Sequence, residues 1–385
     1  MVCRTMALSD HLTAFSSSDA PPSCRTFALL FAYRRYSAMA ALTSITRYKL
    51  RKVLKYMLVT LGAAAVLTLF SGNSGRSYLG AWALLGLWTG VLEEFLFGRR
   101  FRSLAIPLQF LGKVLAVNAL TLALVALAFA FDRQQNLPLR SEGTFSAAEM
   151  FGMSQFYRLM LRVVVVTSIA ILVVQLEELM GRRMFLGFLL GRYEKPVAEE
   201  RVVLSIDLVG STALAEKLGD LRYYRFLNTT YSLMTDALLR NEGEIHKYVG
   251  DEVIFTWPME TGLRGQNCLD LYFDIMERID AHADEMQREF GAVPKFRGAV
   301  HGGRVIVAQI GHIKRAIDLS GDVMNSVSRM LGVCKDMKAD LLVSSELLGR
   351  IPQASERFKF TAESVVPVKG RRREVRVQAV ERVER

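Results

Sequence analysis

The sequence predicts an α-helical membrane unit of four spans followed by an α+β domain, and three observations carry that expectation. Four apolar runs in the first half each approach or exceed the roughly 20 residues a helix needs to cross a hydrocarbon layer. Cations gather at alternate ends of those runs. From about residue 197 the pattern changes to β-rich segments alternating with long helical ones, which indicates a sheet with helices packed on one side. With 385 residues, 51% of them hydrophobic, the chain has room for two or three domains and is too apolar for a purely soluble one.

Residues 1–46 are rich in Ser, Ala and Arg, show little periodicity and are assigned no fold. Thr26–Ala32 is too short, and wrongly flanked by Arg34 and Arg35, for a signal peptide, and Met39 is a possible alternative start. The apolar spans then run over Val53–Phe70, Leu79–Phe97, Leu104–Phe131 and Leu159–Leu176, within a membrane domain of residues 47–176. Arg47, Lys49, Arg51 and Lys52 precede the first, Arg99, Arg100 and Arg102 separate the second from the third, and Arg182 and Arg183 follow the fourth. That bias predicts a multi-pass protein of the cell inner (plasma) membrane, in contact with lipid, with both termini cytoplasmic. The net charge of +11 clusters beside the spans and forms no continuous basic stripe, so nucleic acid is not expected as a partner.

Leu92-Glu93-Glu94 and Leu176-Glu177-Glu178 echo each other, each followed by an Arg-Arg pair. Acids at a membrane edge are costly. They are expected either to turn inward, with Lys113 as partner, or to pair with the neighbouring arginines. No histidine lies in a span, which argues against a bis-histidine haem. Residues 177–196 continue as a helical linker that stops at Pro196. The four cysteines, at 3, 24, 268 and 334, lack metal-ligand spacing and read as reduced thiols.

In the domain of residues 197–385, the pattern predicts strand 201–208, helix 211–240, a hairpin of strands 244–249 and 252–257, helix 266–290, strands 295–301 and 303–309, helix 322–335 and strand 340–344, with short edge strands at 358–360 and 375–380. The hairpin turns at Gly250-Asp251 and so carries a carboxylate at its tip. Lys247, four residues earlier, is expected on a face shared with Ile245 and Val249, where it needs a partner. The first strand ends in Asp207-Leu208, followed by Gly210-Ser211-Thr212 and a helix; strand, glycine turn and helix N-terminus together make a phosphate site. An acid placed just before an anion site calls for a cation between them, so Asp207 and Asp251 are expected to hold Mg²⁺ or Mn²⁺ against a nucleotide's phosphates. Further on, Asn325 and Arg329 lie four apart, hence on one face of a helix, with Asp318 a few residues before it.

Together these stretches resemble the catalytic domain of the class III adenylate/guanylate cyclases: Asp207-Leu-Val-Gly-Ser-Thr, Lys247-Tyr-Val-Gly-Asp251, the segment Gly298-Ala-Val-His-Gly-Gly303 read as a hairpin, and Asp318, Asn325 and Arg329 in family order and spacing. The resemblance covers residues 197–380. It implies a ferredoxin-like βαββαβ core, with Asp207, Asp251 and the Leu208 carbonyl as ligands of two metal ions. It further implies Lys247 and Asp318 as the base-selecting pair, Asn325 orienting the ribose, Arg329 stabilising charge at the α-phosphate, and a homodimer with sites shared between protomers. An ammonium beside a carboxylate suits adenine, so ATP is the expected substrate, with 3′,5′-cyclic AMP and pyrophosphate as products. Ser205 stands where the family often has Phe, and Lys369 is a candidate late phosphate ligand. The alternatives are a diguanylate cyclase, or an inactive membrane receptor whose cyclase-like domain only dimerises.

Overall fold

In the computed structural model of the chain, residues 46–69, 79–97, 105–135, 154–313, 315–351, 356–366 and 374–383 are described. The expectations for residues 1–45, for Arg99, Arg100 and Arg102, and for Lys369 lie outside them.

Among the described residues four helices build the N-terminal bundle: α1 over Thr46–Leu69, α2 over Leu79–Phe95, α3 over Ile106–Gln135 and α4 over Ser154–Met180. By length and composition three segments can cross a membrane, Thr46–Leu69, Ile106–Ala123 and Phe156–Met180. The sequence reading carried the second span to Phe97, but α2 ends at Phe95 after 17 residues, about 26 Å of helix against a hydrocarbon layer of about 30 Å. Tyr56, Val114, Ala170, Ile171 and Val174 pack into one buried cluster, while Leu58, Leu84, Leu111 and Leu161 point outward. Gly86 and Gly90 bring α2 hard against α1. A Cβ on them would meet Met57 Cα at 2.6 Å and Val53 Cα at 2.9 Å.

The acids of the echoed motifs turn toward lysines of other helices. Lys113 pairs with buried Glu93, Lys49 with Glu94 at 3.1 Å, Lys52 with Glu178 at 2.6 Å, and Lys55 with Glu177. Arg183, one of the neighbouring arginines, reaches Glu244 instead, at 3.6 Å. Nor is the linker one continuous helix. It breaks at Gly181 (φ 78°) and resumes as α5 over Arg182–Leu189, short of Pro196. Gly187 lets the buried ring of Tyr193 press on α5, since a Cβ there would fall 2.1 Å from the ring.

The second half is a mixed sheet. Its strands are β1 Val197–Leu208, β2 Glu244–Val249, β3 Glu252–Pro258, β4 Phe296–Ile310, β5 Ala316–Ser320, β6 Leu341–Ser344, β7 Phe358–Phe360, β8 Ser364–Val366 and β9 Val375–Arg382. The order is β2-β3-β1-β4-β6-β9-β7, with β5 on β4 and β8 on β9. The first four strands, each antiparallel to its neighbours in the sheet, form the βαββαβ core. Helices α6 (Ser211–Leu218), α7 (Asp220–Arg240), α8 (Met259–Leu263), α9 (Asn267–Asp280) and α10 (Ala283–Phe290) connect them. After β5 comes α11, Asp322–Val333.

Both faces of the sheet are covered, not one. Phe226, Met234, Leu269 and Ile275 pack on Val202, Leu204 and Ile206 from one side. Val323, Val327 and Met330 of α11 pack with Val203, Ala299 and Val305 on the other. The continuous burial of β1 from Arg201 through Ile206, apolar but for Arg201 and Ser205, suits a strand covered on both sides. The helix expected over 211–240 breaks at Gly219 (φ 72°, ψ 157°), and that over 266–290 breaks at Ala281-His282.

The expected hairpin at Gly298–Gly303 is absent; β4 runs straight through for 15 residues and pairs with β1 from Val197 to Leu208. Gly302 serves close packing, since a Cβ there would meet Leu347 Cδ1 at 2.7 Å. Asp318, expected a few residues before the helix, lies on β5, and Val375–Arg382 is an interior strand between β6 and β7, not an edge. Trp257, fully buried on β3 with Nε1 donating to the Asn241 carbonyl at 2.8 Å, ties the sheet to the end of α7. Trp257→Ala should cost about 3–5 kcal/mol of stability, read as a lowered denaturation midpoint of the detergent-solubilised chain.

Candidate active site

Asp207 is the next-to-last residue of β1, half-buried where the strand leaves the core. Because Ile206 pairs with Val253, the turn before β3 falls beside it. That turn is two residues long, with Val249 opposite Glu252 and a positive φ of 65° at Gly250, as a tight hairpin requires. Tyr231 of α7 donates its hydroxyl to the Gly250 carbonyl at 3.2 Å and lays its ring 4.7 Å from that of Tyr248. The hairpin tip is therefore braced, and it brings Asp251 to Asp207.

Burial, and then the charge and hydrogen bonding of Asp251, push the Asp207 carboxyl up to about 6; Glu252 adds a further negative charge. Tyr223 and Tyr231 are raised too, by burial first and by Asp251 second. Among the described residues no lysine or arginine forms an ion pair with Asp207 or Asp251. Ser205 donates a hydrogen bond to Glu252. That is the effect of serine at a position where the resembling family often has Phe: a polar hold on the third acid, which an aromatic ring could not supply.

Leu208, buried, closes β1, and the next amide is taken up by Val209 N–H donating to the Lys295 carbonyl at 2.9 Å. Gly210 follows in the left-handed region (φ 74°, ψ 24°) and starts α6, whose first residues are Ser211 and Thr212. No side chain caps that end, so its amides are open to an anion. Asp207 and Asp251 meet here with no balancing cation paired to them among the described residues. Two such carboxylates suit a divalent hard ion.

A second constellation lies along β2 and β5. Lys247 Nζ donates to both oxygens of Asp318, at 2.9 and 3.0 Å, across 71 residues of sequence. A β-bulge between Ile245 and Lys247 sets Ile245 opposite Phe255 but Lys247 opposite Ile254, so the two lie on opposite faces of the sheet. The expectation that Lys247 shares an apolar face with Ile245 is thus corrected, while Val249 does share its face. Through the same bulge His246 reaches Asp318, Nε2 to Oδ1 at 2.8 Å. Burial alone would raise the Asp318 carboxyl, but the hydrogen bonds from Lys247 and His246 outweigh it and hold the group below the usual carboxylate range. Sequence reasoning passed over His246, although two polar residues in succession within a half-buried strand are the sign of a bulge.

Asn325 and Arg329 sit one turn apart on α11, whose opposite side is the buried Val323, Val327 and Met330. Gly321 opens that helix with φ 129° and ψ −177°, a conformation essentially confined to glycine. Asn325 is exposed and Arg329 partly so, and among the described residues neither side chain makes a hydrogen bond or ion pair within the chain.

Residues 194–380 match the family described as the adenylate and guanylate cyclase catalytic domain. Adenylate cyclase 2 of Rhizobium meliloti is 42% identical over 203 residues, 52% of this chain and 56% of that one. The adenylate cyclase of Anabaena cylindrica is 26% identical over 178 residues, 44% of this chain and 34% of that one. Among solved structures, the adenylyl cyclase CyaB from P. aeruginosa is similar over 50% of this chain and 98% of that one, at 18% identity and a TM-score of 0.43. The chain spans little more than half the length of the first of these curated relatives and a third of the second.

Because the folded pKa of Asp207 lies above its unfolded value, stability without metal falls as pH rises from about 4 to about 6, where the folded chain must release that proton. A divalent ion held by Asp207 would compete with the proton. Added Mn²⁺ should raise the thermal midpoint at pH 7.5, by an increment that shrinks below about pH 6 and is absent in Asp207→Asn.

Proposed function

We propose that this chain, residues 194–380 of which match the adenylate and guanylate cyclase catalytic domain, is a membrane-anchored adenylate cyclase converting ATP to 3′,5′-cyclic AMP and pyrophosphate. The observation that carries the choice of base is the bidentate Lys247–Asp318 pair. Adenine offers an acceptor at N1 and a donor at its 6-amino group, and an ammonium beside a carboxylate meets both; guanine reverses the two.

Asp207, Asp251 and the Leu208 carbonyl would hold two Mg²⁺ or Mn²⁺ ions. When bound, such ions supply Lewis acidity at the 3′-hydroxyl and at the phosphate oxygens. The rest falls to side chains and backbone. The open amides at Gly210-Ser211-Thr212 cradle the polyphosphate, Asn325 orients the ribose, and Arg329 sets its guanidinium against the charge that builds on the α-phosphate. Positioning of the 3′-oxygen in line with the phosphorus does most of the work.

We place the site at a homodimer interface. Asn325 and Arg329 have no partner within their own chain among the described residues, and the surface around the acids is apolar where solvent would favour polar groups. Val209 and Val249, exposed at 39% and 48%, flank Asp207 and Asp251. A second copy, presenting its own Lys247, Asp318, Asn325 and Arg329 to these acids, would complete two equivalent sites. The apolar helices α1, α3 and α4 are compatible with membrane insertion and would anchor the assembly.

The direct test is to supply the detergent-solubilised chain with ATP or GTP and Mn²⁺ and identify the product. Cyclic AMP is expected, and cyclic GMP as the main product would overturn the base assignment. Asp207→Ala or Arg329→Ala should lower kcat by roughly 10²–10³-fold. Co-expressed, the two variants should recover about a quarter of wild-type activity, since half the dimers would be mixed and one of their two sites intact. Lys247→Glu with Asp318→Cys should depress ATP turnover.

A further inference from the structure

We propose that His246 is a positioning residue for base recognition, fixing the Asp318 carboxylate so that Oδ2 is presented to the purine; this rests on the adenine reading above. The two oxygens of Asp318 are not equivalent. Oδ1 accepts from His246 Nε2 at 2.8 Å, from Lys247 Nζ at 2.9 Å and from the Leu319 amide at 2.9 Å. Among the described residues Oδ2 accepts from Lys247 alone, at 3.0 Å. A carboxylate oxygen offers about two lone-pair directions, so Oδ1 is saturated and Oδ2 keeps one open. The Lys247 ammonium has likewise placed two of its three hydrogens and keeps the third. One open acceptor beside one open donor is the complement of the 6-amino group and N1 of adenine.

Lys247 cannot fix that orientation by itself. Its side chain is 40% exposed and rotatable, whereas that of His246 is 4% exposed and held in the bulged strand. Because an ionised carboxylate only accepts, His246 must carry its hydrogen on Nε2. Burial keeps the imidazole below its ordinary pKa, hence a neutral donor that leaves the charge of the Lys247–Asp318 pair undisturbed. With His246 removed, the carboxylate is free to swing about its Cβ–Cγ bond. The acceptor that repels the guanine 6-oxygen then loses its fixed place.

The test compares kcat/KM for ATP and GTP in the full chain with Mn²⁺. His246→Leu should lower the ATP/GTP ratio about tenfold, mainly through a higher KM for ATP, as expected for one lost hydrogen bond to a charged group. His246→Gln, whose side-chain amide can place an N–H at similar reach, should restore most of the ratio, which a merely space-filling role would not require. Should the leucine variant fail to fold, His246→Asn, polar but one atom short, should show the same loss. A ratio in His246→Leu within about twofold of wild type, while Asp318→Ala collapses it, would overturn the role of His246 and leave the base assignment standing. An Asp318→Ala chain with an unchanged ratio would remove both.

Discussion

Two carboxylates held against each other at the end of a central strand are the constraint on which the rest of this domain depends. Asp207 and Asp251 belong to segments more than forty residues apart, and their meeting requires β3 to lie beside β1 in the register that pairs Ile206 with Val253. Like charges brought together in a half-buried place oppose folding, and the raised Asp207 shows the strain on the ionised form. The surrounding structure resists that repulsion through the buried strands Val202–Ile206 and Val253–Trp257 and through the hold of Tyr231 on the turn. A divalent ion would turn the repulsion into attraction, so the same geometry that weakens the empty domain would strengthen the loaded one.

The N-terminal helical bundle solves a related problem the opposite way. The four acids of the echoed motifs, Glu93, Glu94, Glu177 and Glu178, each meet a lysine from another helix. The pairs join α1 to α2 and to α4, and α3 to α2. Buried pairs contribute little net stability against well-packed apolar groups, but they penalise any rotation that would leave a charge alone.

Much of this was legible in the sequence, for physical reasons that differ from residue to residue. The acids of the site stand beside glycines that only a turn requires, and the strands flanking them have no competing periodicity. Apolar length marked three of the N-terminal helices as long enough to cross a membrane, and Lys113 was identifiable because a lone cation in such a helix needs a partner. Local pattern failed where a residue's role is set by something distant. Gly302 and Gly303 looked like a turn, yet they leave room for Leu347 and Val323 over an unbroken strand. His246 was hidden because alternation assumes no bulge. The breaks at Gly181 and Gly219 were missed because apolar periodicity carries across a single glycine.

The place of β9 in the sheet bears on how the chain is made. Synthesis delivers β1 to β4 early, and they can join while the ribosome is still at work. The far edge of β6, Leu341-Leu-Val, has no neighbour until residues 375–382 have emerged and slotted in between it and β7. Arg382 then locks the insertion from the side, reaching Asp270 at 2.8 Å and Asp274 at 3.0 Å on α9. For that interval the nascent protein carries a bare, greasy strand edge, the kind of surface that chaperones bind and that neighbouring chains on a polysome can capture.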